Sequence, residues 1–484
     1  MRPGQLAPTD EASVSQAARP QPRRLEARSV WLDDCQVDLL DIAGADGWLW
    51  ERDRTGLAGA GVAERISLPW GFAAPDAAAT VEAALTSIDI TDEVGVPGSG
   101  PIAVGALPFD GAAPAGLVVP AVVVGRTAEG RCFLTTVGPG HRADARSFLE
   151  AVTPPASMDP DGFRLSSPVP HREWMALVAA AVDEIAAGAF EKVVLAREVR
   201  VDANRPIEVP TVLRRLRALY PMCTIVSAEV GTEGSAQVGT EGSAQIRTEA
   251  SAAERAAAPD GASTAHHAPP ARRVVGAARF VAASPELLVS RLGDRICSQP
   301  LAGTIPRSGD PDADRLSAEG LMGSAKDRAE HEWVVRDVER ALAPWCSTLD
   351  VPATPSIVSF RNVSHLGTLV TGRLLATLAD RPGALALAAA LHPTAAVGGS
   401  PRQPALAWLA AHEGLERGPY AGPAGWVDAN GDGEWVLGIR SAVIAGSTAR
   451  LFAGVGVVDG SDPASELAET QFKLQALLAA VVRP

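Results

Sequence analysis

The later part of this chain is built from short, alternating, β-branched stretches joined by glycine turns. That pattern restricts the fold more than any other feature. VVLAREVRV (193–201) alternates at the period of a strand with one buried face. ELLVSR and RICSQ flank Leu292-Gly293-Asp294, the composition of a hairpin turn, and EWVLGIRSAVIAG and STARLFAGVGVV form a meander about Gly446. Helical patterns fill the gaps: HREWMALVAAAVDEIAAG, VPTVLRRLRALY, AKDRAEHEWVVRDVERALA and PASELAETQFKLQALLAAVV. Antiparallel strands interspersed with helices favour an α+β architecture over a doubly wound parallel sheet. No GxGxxG or GxxxxGK[ST] opens a helix, so nucleotide binding has little support.

Two segments offer no periodic apolar face. Residues 1–28 read as a disordered tail. The stretch 231–271 reads as a flexible low-complexity insertion between the strands CTIVSAEV and RRVVGAARFVA. It carries most of a direct repeat, VGTEGSAQ, that begins at 230 and again at 238. The 484 residues hold 43 basic against 57 acidic side chains, a net charge of −14. That balance argues against a nucleic-acid partner and against attachment to an anionic membrane. Five widely spaced cysteines (Cys35, Cys132, Cys223, Cys297, Cys346) without CxxC spacing suggest a reducing compartment and no zinc site. With no signal-like apolar stretch at the start and no run long enough to span a bilayer, a cytoplasmic enzyme is expected.

Several charged residues sit where chemistry is possible. On the helix beginning near Pro463, with Asp462 as its expected cap, Glu466, Glu469 and Lys473 share one face at about 100° per residue. A solvated surface stripe is the usual meaning of such a face. Glu330 shares a face with Val334, Val338 and Ala341, and a carboxylate on an apolar face needs an ion pair or a metal. A hard cation such as Mg²⁺ would suit an all-carboxylate site; periodicity does not choose between the two. Lys192 opens an otherwise apolar strand, and Glu286 follows Ser284-Pro285 just before another. A buried lysine can become a general base, and a buried carboxyl can keep its proton.

The stretches FEKVVLAR, FVAASPELLVS, SQPLAGTIPR, AKDRAEHEWVV, SHLGT, LHPTAAVGGSP, GEWVLGIRSA, LFAGVGVV and ELAETQFKL occur in this order. Together they resemble the chorismate-utilising enzymes, over about Arg172 to Val482 and more loosely before it. The resemblance implies one large α+β unit: antiparallel sheets packed in a core with helices outside. Residues 29–165 would be its N-terminal part and 166–484 its chorismate-binding catalytic region. Three positions separate the members. Lys192 stands where water-adding members carry lysine and ammonia-using anthranilate synthases carry glutamine. Ala302 in PLAGT replaces the nucleophilic lysine of aminodeoxychorismate synthases. LHPTAAVGGSP is similar to the isochorismate synthase version of its segment.

The resemblance therefore implies an isochorismate synthase feeding menaquinone or siderophore biosynthesis. A salicylate synthase is the alternative; an anthranilate-type enzyme or a non-catalytic chorismate-binding protein is less favoured. Lys192 would activate the water that attacks C2, and Glu286 would protonate the C4 hydroxyl as it leaves. Such a pair needs opposite environments, one releasing a proton and one retaining it. Glu330 and Glu469, with Glu466 close by, would bind Mg²⁺. Arg440 and Lys473 would bind the enolpyruvyl carboxylate beside backbone at Gly454 and Gly456. Gly303, Thr304 and His365 would complete the pocket. For His365, a packed, hydrogen-bonded histidine is as reasonable as direct contact with substrate. The implied protein works without an amidotransferase subunit, as a monomer or weak homodimer.

Overall fold

The computed structural model describes residues 24–33, 37–138, 159–230, 277–361, 363–376 and 381–482. The insertion expected at 231–271 and all but the end of the expected tail lie outside these residues. The tail boundary moves: Glu26–Trp31 is a strand, held between Cys132–Gly138 and Asp89–Asp92. Ala27 and Ser29 are its buried positions, so the alternation that 1–28 lacks begins just before the expected edge.

Two large sheets organise the described residues. The thirteen-stranded sheet runs Phe163–Ser166, Lys192–Ala203, Thr448–Val457, Ser441–Ala445, Arg279–Ser284, Thr224–Glu229, Trp48–Arg52, Thr55–Ala60, Val122–Arg126, Cys132–Gly138, Glu26–Trp31 and Asp89–Asp92. The two-residue strand Gly399–Ser400 also pairs with Lys192–Ala203. The nine-stranded sheet runs Cys346–Asp350, Val370–Leu374, Arg295–Gln299, Leu287–Leu292, Gly433–Leu437, Pro423–Asp428, Ile102–Ala106, Ala115–Val119 and Glu64–Leu68. A small third sheet joins Leu301–Pro306, Val363–Gly367 and Ser356–Ser359. Every described ladder is antiparallel except Glu26–Trp31 with Asp89–Asp92. The α+β expectation holds, and strands from the first 138 residues enter the same two sheets as the rest.

The turns follow from local chemistry. Leu292 pairs with Arg295 across Gly293-Asp294, and Gly293 takes φ +66, a conformation open to glycine at little cost. Gly446, at φ +59, closes the hairpin from Ser441–Ala445 to Thr448–Val457. Between the sheets, Trp48, Trp50, Val226 and Phe280 of one meet Ile102, Trp426 and Val436 of the other in a buried layer. Helices cover the outer faces. Val209–Leu219 and Pro463–Val482 pack Leu213, Leu216, Leu474 and Leu477 against Val201, Ile225 and Val281. This is the sheet core with helices outside that the sequence suggested. Among the described residues no helix is long and apolar enough to cross a membrane.

Cys223, Cys297 and Cys346 are free thiols, but Cys132 is in a disulfide, so the expectation of scattered thiols fails there. The ladder with Glu26–Trp31 brings Cys132 beside residues remote from it in sequence; spacing alone does not reveal this. Cys35 lies outside the described residues.

Candidate active site

One cleft, of about 1120 Å³ counting the space open at its mouth, is lined by all twelve residues singled out from the sequence. Lys192 enters from the start of its strand, and Gly454 and Gly456 from the neighbouring strand Thr448–Val457. Glu466, Glu469 and Lys473 enter from the helix Pro463–Val482, and Glu330 from the helix Ala325–Leu342. Gly303, Thr304 and His365 come from the small sheet. Glu286 and Arg440 come from the turns after Arg279–Ser284 and Gly433–Leu437.

Lys192 is 1 % exposed, and its Nζ lies 2.8 Å from Glu330 Oε1. The ion pair left open for Glu330 is therefore formed, with a lysine from the opposite wall. Burial works to raise the Glu330 pKa, but the charge and hydrogen bond of Lys192, with Lys473 and Lys326, outweigh it and hold the carboxyl below its usual value. The desolvated or cationic setting expected for Lys192 is met only in its burial, since its contact is a carboxylate. Gly456 makes room for the pair. A Cβ there would stand 2.6 Å from Glu330 Oε1 and 2.8 Å from Lys192 Cε. Gly454 works similarly: a Cβ would come 2.7 Å from the Tyr420 hydroxyl, and its carbonyl accepts from Lys473 Nζ at 2.9 Å. In this structure both glycines accommodate protein side chains.

Glu286 meets the acid's requirement. It is 4 % exposed, and burial pushes its pKa up to about 8, against the Leu301 N–H and the charges of Lys192, Lys473 and Arg440. The Leu301 N–H donates to Oε1 at 3.4 Å. At neutral pH this carboxyl keeps its proton.

His365 is fixed by its neighbours. Arg440 donates to Nε2 at 2.9 Å, so that nitrogen accepts and the proton sits on Nδ1, facing the Gly303 carbonyl at 3.2 Å and Thr304 Oγ1 at 3.0 Å. Burial first, then the charges of Arg440 and Lys473, push its pKa well below the ordinary value, so the ring is neutral. His365 is thus both packed and cleft-lining, its hydrogen bonds used to aim Arg440. Arg440 itself holds φ +50, a left-handed conformation costing a non-glycine residue about 1–3 kcal/mol, and its guanidinium lies 4.9 Å from the Phe360 ring centroid.

The stripe on Pro463–Val482 is no solvated face. Glu466 is 7 % exposed, and Lys473 reaches Glu469 at 2.7 Å as well as Gly454. The helix starts as expected, with Asp462 Oδ2 accepting from the Ser465 N–H at 2.8 Å. Burial raises the Glu466 pKa, and the charges of Glu469 and Glu330 raise it further against a hydrogen bond from Ser461. The three glutamates thus feel one another across the cleft. Among the described residues, however, no three His, Cys, Asp or Glu side chains gather closely enough to hold an ion. Glu330 and Glu469 each turn an oxygen to a lysine instead.

Sequence reasoning missed Lys326, Asp327 and Tyr420, which also line the cleft. Lys326 and Asp327 lie four and three residues before Glu330, on the same helical face, and that spacing could have found them. Tyr420, buried and stacked on Phe452 at 5.2 Å between centroids, follows a turn with no periodic signal.

A family model described as chorismate binding enzyme matches residues 43–240 and 273–482. A Mycobacterium tuberculosis protein, named provisionally as the isochorismate synthase MenF, is 36% identical over 390 residues, covering 79% of this chain and 87% of its own. The isochorismate synthase DhbC of Bacillus subtilis is 36% identical over 315 residues, 65% of this chain and 69% of its own. The solved structure of MenF, the menaquinone-specific isochorismate synthase from Escherichia coli, superposes with a TM-score of 0.72 over 96% of this chain and 97% of that one. At 22% identity it speaks for the fold. With one family model spanning both sides of the insertion and the cleft assembled from that family's motifs, the chain belongs to the chorismate-binding enzymes.

Proposed function

We propose that this protein is an isochorismate synthase, converting chorismate to isochorismate. The observation that carries the reading is Glu286, a carboxyl kept neutral by burial in the same cleft as the buried amine of Lys192. In this reading Lys192 Nζ takes the proton from the water that attacks C2, and Glu286 gives its proton to the C4 hydroxyl as it leaves. Acid and base work at opposite ends of one allylic system; each turnover leaves Lys192 with one proton more and Glu286 with one fewer, and a proton passed from the first to the second resets the site. Arg440, aimed by His365, and Lys473 receive the enolpyruvyl carboxylate.

Charge counting supports a divalent cation in the reading. Lys192, Lys326, Arg440 and Lys473 face Asp327, Glu330, Glu466 and Glu469, while Glu286 and His365 are neutral. With Lys192 charged, as in its contact with Glu330, the formal balance is even; with Lys192 as the free amine that takes the water proton it is one negative, so a dianionic substrate brings an excess that Mg²⁺ would reduce. Oxygen donors suit such a hard cation, and Glu330, Glu466 and Glu469 would hold it once Glu330 and Glu469 turn from the lysines they face here. Bound there, Mg²⁺ would neutralise the acidic wall and the ring carboxylate of chorismate.

The test is product identification after incubation with chorismate, with Mg²⁺ or with EDTA. Isochorismate formed only with metal is expected. Prompt stoichiometric pyruvate with salicylate would replace the reading by a salicylate synthase. Binding without turnover would remove the enzymatic reading.

A further inference from the structure

The strand that carries Lys192 is paired along one side by Thr448–Val457, from Val193 to Asp202. Its other side is different. Gly399–Ser400 covers Lys192 and Val193, and Phe163–Ser166 covers Arg200 to Ala203. Between them, the outward peptide groups of Val194 and Ala196 have no partner strand beyond one bond from the Val194 N–H to the Gly398 carbonyl. An unpaired edge inside a protein needs substitute partners.

Those partners come from Glu413, at the end of the helix Arg402–His412, and Arg417, in the loop four residues on. Arg417 Nη2 donates to the Val194 carbonyl at 2.6 Å, and Glu413 Oε1 accepts from the Ala196 N–H at 2.8 Å. The two side chains lock each other through Nε–Oε2 at 2.8 Å and Nη2–Oε1 at 2.6 Å, at 3 % and 6 % exposure. Trp174 Nε1 adds a bond to the Ala196 carbonyl at 3.1 Å. The same Arg417 also donates from Nη1 to the Val397 carbonyl at 2.9 Å. Val194 and Val397 both line the cleft. A single guanidinium therefore ties the strand of Lys192 to a second wall of the site, while touching neither Lys192 nor the cleft itself.

We infer that Glu413 and Arg417 are positioning residues: a buried side-chain clamp that replaces a missing strand and fixes Lys192 relative to the cleft. This rests on the proposed role of Lys192 as base. The rigid fork of arginine suits the task, because it meets two carbonyls and a carboxylate in one plane. A lysine at 417 keeps the charge but cannot hold both carbonyls.

The test compares wild type, Lys192→Ala, Glu413→Gln, Arg417→Lys and Arg417→Gln by isochorismate formation. Rates are expressed per folded protein from thermal melts and circular dichroism. Misplacing a reacting group by about 1 Å costs roughly 10²-fold. Arg417→Gln should therefore lose about 10- to 100-fold in kcat, with KM for chorismate within about two-fold and Arg417→Lys partly restored. Glu413→Gln keeps an acceptor for the Ala196 N–H, so it reports should Arg417→Gln fail to fold; it too should lose kcat and not KM. Folded Glu413 and Arg417 variants with wild-type kcat, beside an inactive Lys192→Ala, would overturn the clamp and leave the base intact. Losses shared by kcat and KM, or explained wholly by the unfolded fraction, would make the pair merely structural. An active Lys192→Ala would instead overturn the base assignment.

Discussion

Replacing Glu286 with glutamine tests the acid through two independent consequences. The substitution keeps the shape of the side chain and an oxygen for the Leu301 N–H, but removes the titrating proton. In the folded protein the carboxyl titrates at about 8, against an ordinary 4.5. A rise of that size favours the neutral form by about 5 kcal/mol. The folded pKa lies above the unfolded one, so the stabilisation is complete below pH about 4.5 and is lost as pH rises through about 8. Wild type should therefore lose several kcal/mol more than Glu286→Gln between those limits, read as the difference in urea unfolding free energy at pH 5 and pH 8. Activity should follow the same group: kcat of the wild type should fall as pH rises through about 8, and Glu286→Gln should lose about 10²–10⁴-fold at every pH. Parallel stability profiles for the two proteins, or near-normal turnover by the glutamine variant, would refute the argument from burial to acid.

Other perturbations probe the rest of the cleft. Gly456→Ala should leave melting nearly unchanged, because its Cβ meets the flexible ends of Glu330 and Lys192, yet cost about 100-fold in kcat by moving that pair. Lys192→Ala should abolish turnover and destabilise the fold by less than the about 3–5 kcal/mol of a fully buried pair, since Glu330 is partly exposed and keeps Lys473 and Lys326 nearby; chemical denaturation reads the second effect. Replacing 231–271 with a short Gly/Ser linker should keep activity close to wild type. The flanking strands are neighbours, Glu229 opposite Arg279, so a few residues suffice to join them. A large loss in steady-state rate would give the insertion a role in the site.

The legible parts of the sequence were those in which local chemistry and tertiary structure agree. The helices at 171–186, 325–342 and 463–482 carry their own periods, the last two their caps at Ser324 and Asp462, and the turns at Gly293 and Gly446 their glycines. Glu330 betrayed itself by sharing an apolar face. The stripe of Glu466, Glu469 and Lys473 did not, because a helical wheel gives a face without saying what covers it; the strand at Gly454 supplied that answer. Tyr420 and Arg417 were invisible for a related reason. Both act from a turn, through contacts spanning tens to hundreds of residues that no local period encodes. The same holds for Thr224–Glu229 pairing with Trp48–Arg52, a long-range ladder that knits early and late strands into one sheet.

The helix Pro463–Val482 contributes Glu466, Glu469 and Lys473, and it is the last cleft element to leave the ribosome. Until it docks, the Gly454 carbonyl lacks its ammonium donor, and the acidic wall consists of Glu330 and Asp327 alone. Without this helix the strands that carry Lys192 and Gly454 lack both a covering face and the groups that complete the substrate site. Activity in this architecture therefore waits on the docking of one helix, and a chain lacking it should be silent.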